Sequence, residues 1–360
     1  MTEGAADFAA AAPDAGALAR AHPLTMFGLD ALVAGATRLR PERLALRDVR
    51  GADRRELSFA ELDRAIGAFL ARLRGFEFAR GERVLLCCAP ASEAIIALTA
   101  LVAAGLEPVL APLRTPQSVL ARAASAVAAA AILAPTRFDR LDLEATLLGV
   151  AAQTPSIRLL GTLGPETIDG AVDFSLEALL GSSLARARLN DGWTSGARAM
   201  IGAIDEAGAP AFVSQGALLG HGLDLVRKTR RGGSPPVVSL VAPASFGGLI
   251  AGPLAALLAG APTCFLAPFS AAEFLALLDE IGPARLVAPT AILPDLARAG
   301  LLDNGALVSV VALSRRGGEH AEAPRHPSTC PIIEIFSDGA AAIHIAPAPP
   351  HEESAAARVA

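Results

Sequence analysis

The chain has 360 residues, 52% hydrophobic and only 19% charged, against about 25% charged in ordinary domains, so it is too apolar to be disordered and long enough to bury a large core. A net charge of −5 and an isoelectric point near 5.7 give no electrostatic case for binding nucleic acid. Four Cys cannot form a disulfide framework in a chain of this length, and Lys228 is the single lysine, so any lysine-dependent chemistry has one candidate.

Residues 1–24 are Ala-rich with early acidic residues and lack a basic segment followed by an apolar run. They read as a disordered leader and not as a secretory signal. The cytoplasm is the expected compartment, with Cys87, Cys88, Cys264 and Cys330 reduced. The first strong pattern is 56–75. Ser58 followed by Glu61 is a capping box, Leu62, Ile66, Phe69, Leu70 and Leu73 recur at helical spacing, and Gly75 suits a C-cap. A strand is predicted over 83–88, then a helix capped by Ser92 and ended by Gly105, then a strand over 109–111. Thr115-Pro116 reads as an N-cap with a proline at the first helical position, for a helix to about Ala126. Strands follow at 130–133 and 157–160, then a loose stretch over 161–198 with one short helix near 176–180.

The alternation resumes in the second half. Strands are expected at 199–204, 237–241, 263–266, 285–288 and 307–312, with helices at 216–227, 249–258, 271–281 and 292–299 between them. Strands at 332–336 and 341–345 come last, before a frayed tail over 346–360. Strands apolar throughout and alternating with helices imply mostly parallel sheets covered on both faces. The expected architecture is α/β in two stacked subdomains, 25–190 and 191–345. The stretch 234–272 carries no charge, yet Pro235, Pro236, Pro243, Pro253, Pro262 and Pro268 interrupt it. It reads as buried strand, loop, helix and strand, and no membrane span is expected.

Several segments, in order, resemble the adenylate-forming superfamily of acyl-CoA synthetases, peptide-synthetase adenylation domains and luciferases. They are L-S-F-A-E-L at 57–62, G-E-R-V at 81–84, A-P-A-S-E-A-I-I-A-L-T-A-L-V-A-A-G at 89–105 and P-V-L-A-P-L at 108–113. A-P-A-S-F-G-G-L-I-A-G-P-L at 242–254, F-L-A-P-F-S-A-A-E-F at 265–274 and A-R-L-V-A-P-T at 284–290 continue the series. The resemblance covers about 31–345 and implies the large N-terminal domain of these enzymes. It places a substrate pocket at Ser245, Phe246, Gly247 and Gly248. A plain strand-to-helix connection explains those four residues equally well.

The departures bear on function. The resemblance calls for a phosphate-binding loop, T-S-G-[ST]-T-G-x-P-K-G, just after a strand. Small residues, hydroxyls and a lysine hold the ATP phosphates there. The matching stretch, 203–212, keeps Gly208 and Pro210 but has Ala211 at the lysine position and Asp205 and Glu206 where phosphate oxygens belong. Like charges at ~4 Å cost about 4 kcal/mol at an effective dielectric of 20. Trp193-Thr194-Ser195-Gly196 contains T-S-G but precedes the strand, and reads as a turn. The second motif, Y-G-x-T-E, matches Phe336-Ser337-Asp338-Gly339-Ala340, so its aromatic survives while threonine and glutamate are lost. Asp338 reads as a turn former or a displaced metal ligand, and Gly317-Gly318 as the adenine-side turn or an ordinary β-turn.

Family enzymes also carry a C-terminal lid with a catalytic lysine, which is expected to be absent here. Lys228 lies in Arg227-Lys228-Thr229-Arg230-Arg231, a helix C-terminus, and fits neither family lysine role. His22, His221, His320, His326, His344 and His351 show no ligand spacing, and Cys87-Cys88 read as small core residues on opposite strand faces, so no metal site is expected. No nucleophile elbow, Walker A loop or dinucleotide fingerprint is present.

Three readings remain. The first is a relative that has lost adenylation and needs no cofactor, with an acyl or aromatic carboxylate ligand, a protein partner or a homodimer left open. The second is an active AMP-forming acid–thiol ligase using ATP and magnesium, completed by a separate lid. The third is an interaction module without a small ligand.

Overall fold

The computed structural model describes residues 27–51, 53–182, 199–229, 234–316, 330–338 and 342–347. The sequence expectations for 1–24, 193–196, Gly317, Gly318 and most of the tail lie outside these residues. Chain order begins α1 (Leu29–Leu39), β1 (Leu44–Arg50), β2 (Asp53–Ser58), α2 (Phe59–Leu73), β3 (Arg83–Cys88), α3 (Ser92–Ala103), β4 (Glu107–Pro112) and α4 (Gln117–Ala126). It continues β5 (Ala131–Ala134), the short pair β6 (Arg137–Phe138) and β7 (Leu141–Asp142), α5 (Glu144–Gln153), β8 (Leu159–Thr162), β9 (Val172–Asp173) and α6 (Leu176–Leu180).

The second half runs β10 (Met200–Ile204), β11 (Pro210–Ser214), α7 (Gln215–Thr229) and β12 (Val237–Ser239). One interrupted helix follows: α8 (Phe246–Leu249), a π-turn (Ile250–Leu254) and α9 (Ala255–Ala259). Then come β13 (Thr263–Leu266), α10 (Ala271–Ile281), β14 (Ala284–Pro289), α11 (Leu293–Arg298), β15 (Leu307–Arg316), β16 (Ile332–Asp338) and β17 (Ala342–Pro347). The uncharged stretch is therefore strand, broken helix and strand. Among the described residues no helix is long and apolar enough to cross a membrane.

Two large sheets form. One has eight strands in the order β17-β16-β15-β14-β12-β13-β1-β2, and the other seven in the order β11-β10-β4-β3-β5-β8-β9. Both are parallel except at their edges, where β2, β17 and β11 run antiparallel. The sheets exchange strands across the 190/191 boundary. The early pair β1–β2 joins the sheet of the second half, and the later pair β10–β11 joins that of the first. A single core between the sheets is filled by α1, α2, α3, α7 and the α8–α9 helix. A second core lies under α10 and α11, a third under α4 and α5. Each sheet is thus buried on both faces, which explains strands without polar alternation. Every residue of α3 is buried, so that helix shows no polar face.

Local chemistry agrees with the sequence at some ends and differs at others. The Ser58 capping box is complete: Ser58 Oγ accepts from the Glu61 amide, and the Glu61 carboxylate accepts from the Ser58 amide at 2.8 Å. Gly75 is not a left-handed C-cap. It lies in a 3₁₀ turn, and Glu77 takes the positive φ. Ser92 is the first helical residue and not a cap, because its amide and hydroxyl both donate to Asp48 at 3.0 Å. Thr115 does not cap α4, since its hydroxyl donates to the Pro112 carbonyl and Pro116 is the cap residue. In α7, Gly222 lies close under the broken helix: a Cβ there would stand 2.7 Å from Leu258 Cδ1, and the leucine would have to shift.

Candidate functional site

In open α/β sheets, ligands bind beyond the carboxyl ends of the strands. Three segments singled out by sequence lie there: the turn after β10, the 243–248 connection after β12, and the end of β16.

The first is a tight hairpin. β10 and β11 pair from Met200↔Ser214 to Ile204↔Pro210, leaving 205–209 as the turn. The turn is closed by its own groups. Asp205 N donates to Ala209 O at 3.0 Å, and Asp205 Oδ1 accepts from the Ala209 amide at 2.8 Å. A carboxylate of the chain therefore occupies a backbone donor that an anion would need. Gly208 has φ of +82°, and a Cβ there would meet Val119 O of α4 at 2.9 Å. Arg122 of α4 donates from Nε to Ala207 O at 3.1 Å, and its Nη2 reaches the same carbonyl. Glu206 is exposed and Asp205 half-buried. Pro210 begins β11, where Phe212 pairs with Gly202 and lies under the Arg83 guanidinium, 4.7 Å from the ring centre. The turn is thus self-satisfied and pinned to α4.

The second segment is a helix start. Ser245 caps α8, its Oγ accepting from the Gly248 amide at 3.2 Å. Phe246, Gly247 and Gly248 are buried. A Cβ on Gly247 would touch Ile335 Cγ2 at 3.5 Å and Leu313 Cδ2 at 3.6 Å, so this turn packs on β15 and β16. Phe336, next to Ile335, is half-buried and pairs with Ser314 of β15 and His344 of β17. Asp338 ends β16. The structure therefore brings 245–248 to the strand bearing Phe336, while the 205–209 turn packs on α4.

A cavity of about 40 Å³ lies between the sheets. Leu29, Phe59, Leu98, Leu249 and Pro253 help line it, and Thr99 and Thr263 supply its only hydroxyl-bearing side chains. Ser245, Phe246, Gly247 and Gly248 are not among its walls. Ligand pockets run to ~300 Å³ or more, so this space is small by comparison.

Other candidate groups have structural partners. Lys228 pairs with Asp224 one turn back at 2.8 Å and donates to Ile345 O of β17 at 2.7 Å, stapling α7 to the sheet's edge strand. His221 of α7 is buried, which lowers its pKa. Cys87 and Cys88 enter opposite cores, and burial pushes the Cys87 thiol up to about 12. Among the described residues no group of three or more His, Cys, Asp or Glu is placed to hold a metal.

Sequence reasoning missed a buried ionic cluster joining the layers. Asp48 of β1 and Glu93 of α3 are each 3% exposed. Burial, then the charge of Glu93, raises the Asp48 pKa to about 7. Arg50 and Arg55 stand 3.9 Å from the two Glu93 oxygens, both of which lack a hydrogen bond. Three charged residues, Arg47, Asp48 and Arg50, inside the otherwise apolar run L-A-L-R-D-V-R were the available signal.

No protein-family profile and no curated protein matches this chain. Solved structures do. The apo structure of Mycobacterium smegmatis MbtA superposes with a TM-score of 0.70 at 17% identity, over 90% of this chain and 59% of that one. The anthranilate CoA ligase AuaEII, solved with anthranoyl-AMP, gives 0.70 at 14% identity, over 89% and 61%. A Rhodopseudomonas palustris protein described as a putative long-chain-fatty-acid CoA ligase gives 0.67 at 19% identity, over 90% and 79%. The fold is that of the N-terminal part of adenylate-forming enzymes, and the chain spans about 60% of the length of the first two.

Proposed function

We propose that this chain keeps the fold of an adenylate-forming ligase but does not adenylate, and that its remaining role is to hold an acyl or aromatic carboxylate. One observation carries the loss of adenylation: Asp205 Oδ1 accepts the Ala209 amide in the turn that the sequence resemblance matches to the phosphate loop. To seat a phosphate, the turn would have to give up that bond and tolerate Asp205 and Glu206 beside the incoming charge. Each such contact at ~4 Å costs about 4 kcal/mol at an effective dielectric of 20. No lysine compensates, because Lys228 is engaged by Asp224 and Ile345. Pinning by Arg122 and the close approach of Gly208 to α4 oppose rearrangement of the turn.

The carboxylate reading draws on the neighbours, one of which was solved with anthranoyl-AMP. On this reading such a ligand sits beside the apolar turn at Phe246–Gly247, which packs against Ile335 and Leu313. Isothermal titration with ATP, AMP and a non-hydrolysable acyl-AMP analogue tests both parts. The expected result is no heat with ATP or AMP. Sub-millimolar ATP binding would overturn the proposal and favour an active ligase completed by a separate lid. Binding of none of these, nor of medium-chain or aromatic acids, would favour an interaction module.

A further inference from the structure

Arg285 is an anomaly in the core of the larger sheet. It is the second residue of β14, paired with Val237 of β12 and Ser309 of β15. Leu286 and Ala288 face the outer core and Val287 the inner one, so alternation puts Arg285 on the inner face. It is 1% exposed and among the largest fully buried side chains. A guanidinium has five N–H donors and is paired when buried. Here Nε donates to Ser309 Oγ at 3.3 Å, and Nη1 is buried without a hydrogen-bond partner. Among the described residues no carboxylate forms an ion pair with it. Burial lowers its pKa only to about 10, so it stays cationic at neutral pH.

Its position separates it from the segments already described. Arg285 sits at the amino end of β14, whereas the 205–209 turn and the 243–248 connection lie past carboxyl ends and Asp338 is the carboxyl-terminal residue of β16. We propose that Arg285, with the Ser309 hydroxyl, is a binding site for a small oxyanion at the amino edge of the eight-stranded sheet. The guanidinium fork matches the paired oxygens of a carboxylate or phosphate, and a hydroxyl donor beside it adds a third contact. The anion neutralises a charge that the described chain leaves unpaired.

The test is thermal unfolding of the full chain against millimolar inorganic phosphate and, separately, acetate, at constant ionic strength. Wild type is expected to rise saturably by roughly 2–4 °C with at least one of the two, and the better anion identifies the source. Arg285→Met is expected to show no response and to be at least as stable as wild type without anion, since an apolar side chain replaces an unpaired buried charge. Arg285→Lys keeps the charge, loses the fork and is expected to need several-fold more anion. Ser309→Ala shifts the half-point the same way. A wild type that does not respond, an equal response in Arg285→Met or Ser309→Ala, or an Arg285→Met protein much less stable than wild type in anion-free buffer would each overturn the proposal.

Discussion

Asp48 makes the stability of this fold depend on pH in a direction unusual for a carboxylate. It accepts from the Ser92 amide at 3.0 and 3.2 Å and from the Ser92 hydroxyl at 3.0 Å, but it is buried beside Glu93. Burial and the Glu93 charge outweigh those bonds and the Arg50 charge, and raise its pKa from 3.8 to about 7. A carboxyl whose folded pKa is raised binds its proton more tightly when folded. Its contribution is therefore fully present below pH ~4 and is lost as pH rises through 7. Each pH unit between the two values is worth about 1.4 kcal/mol, so wild type should lose roughly 2–3 kcal/mol at this site between pH 5 and pH 8. The assay is urea unfolding at pH 5, 6, 7 and 8 for wild type and Asp48→Asn. Asparagine keeps an acceptor for Ser92 but has no charge, so the variant should gain on wild type steadily as pH rises. A difference between the two that is flat over this range, or that shrinks as pH rises, would refute the reasoning.

Other perturbations bear on single contacts. Phe69 is fully buried and stacked 4.1 Å from Phe174, so Phe69→Ala should cost about 3–5 kcal/mol in the same assay. Gly208→Val meets both a positive φ and the Val119 carbonyl, and should lower stability by at least ~1 kcal/mol. Lys228→Met removes an exposed pair and a bond to Ile345, so global stability should fall by no more than about 1 kcal/mol. Amide exchange in β17 should rise in the same variant.

The fold was legible where elements follow period and punctuation. The strand at Arg83–Cys88, the short helix at Leu176–Leu180, the strand at Thr263–Leu266 and the helix at Ala271–Ile281 coincide with expectation. Other elements were not found, among them α1, β1, β2, β11 and α5. In β1, L-A-L-R-D-V-R puts Arg47 and Asp48 into a buried strand; Arg47 pairs with nearby Glu56 of β2, but the other groups that answer them, Ser92, Glu93 and Glu280, lie far along the chain. In β11, P-A-F-V-S has no local strand signal beyond its pairing with β10. In α5 only Leu147 and Val150 are buried, too few to mark a face. The exchange of β1–β2 and β10–β11 between sheets is likewise a matter of pairing over long separations, invisible to local pattern. At the candidate site, the two carboxylates Asp205 and Glu206 after a strand could be picked out from sequence. That Asp205 would bond its own turn, and that Arg122 would pin it, required the hairpin register and the position of α4.

The central claim is that the turn at 205–209 does not accept ATP phosphates for adenylation. ATP–pyrophosphate exchange with the purified chain, over a panel of short, long and aromatic carboxylic acids with magnesium, measures it most directly. The expected result is exchange indistinguishable from a protein-free control with every acid. Acid-dependent exchange above that control with any acid would contradict the account.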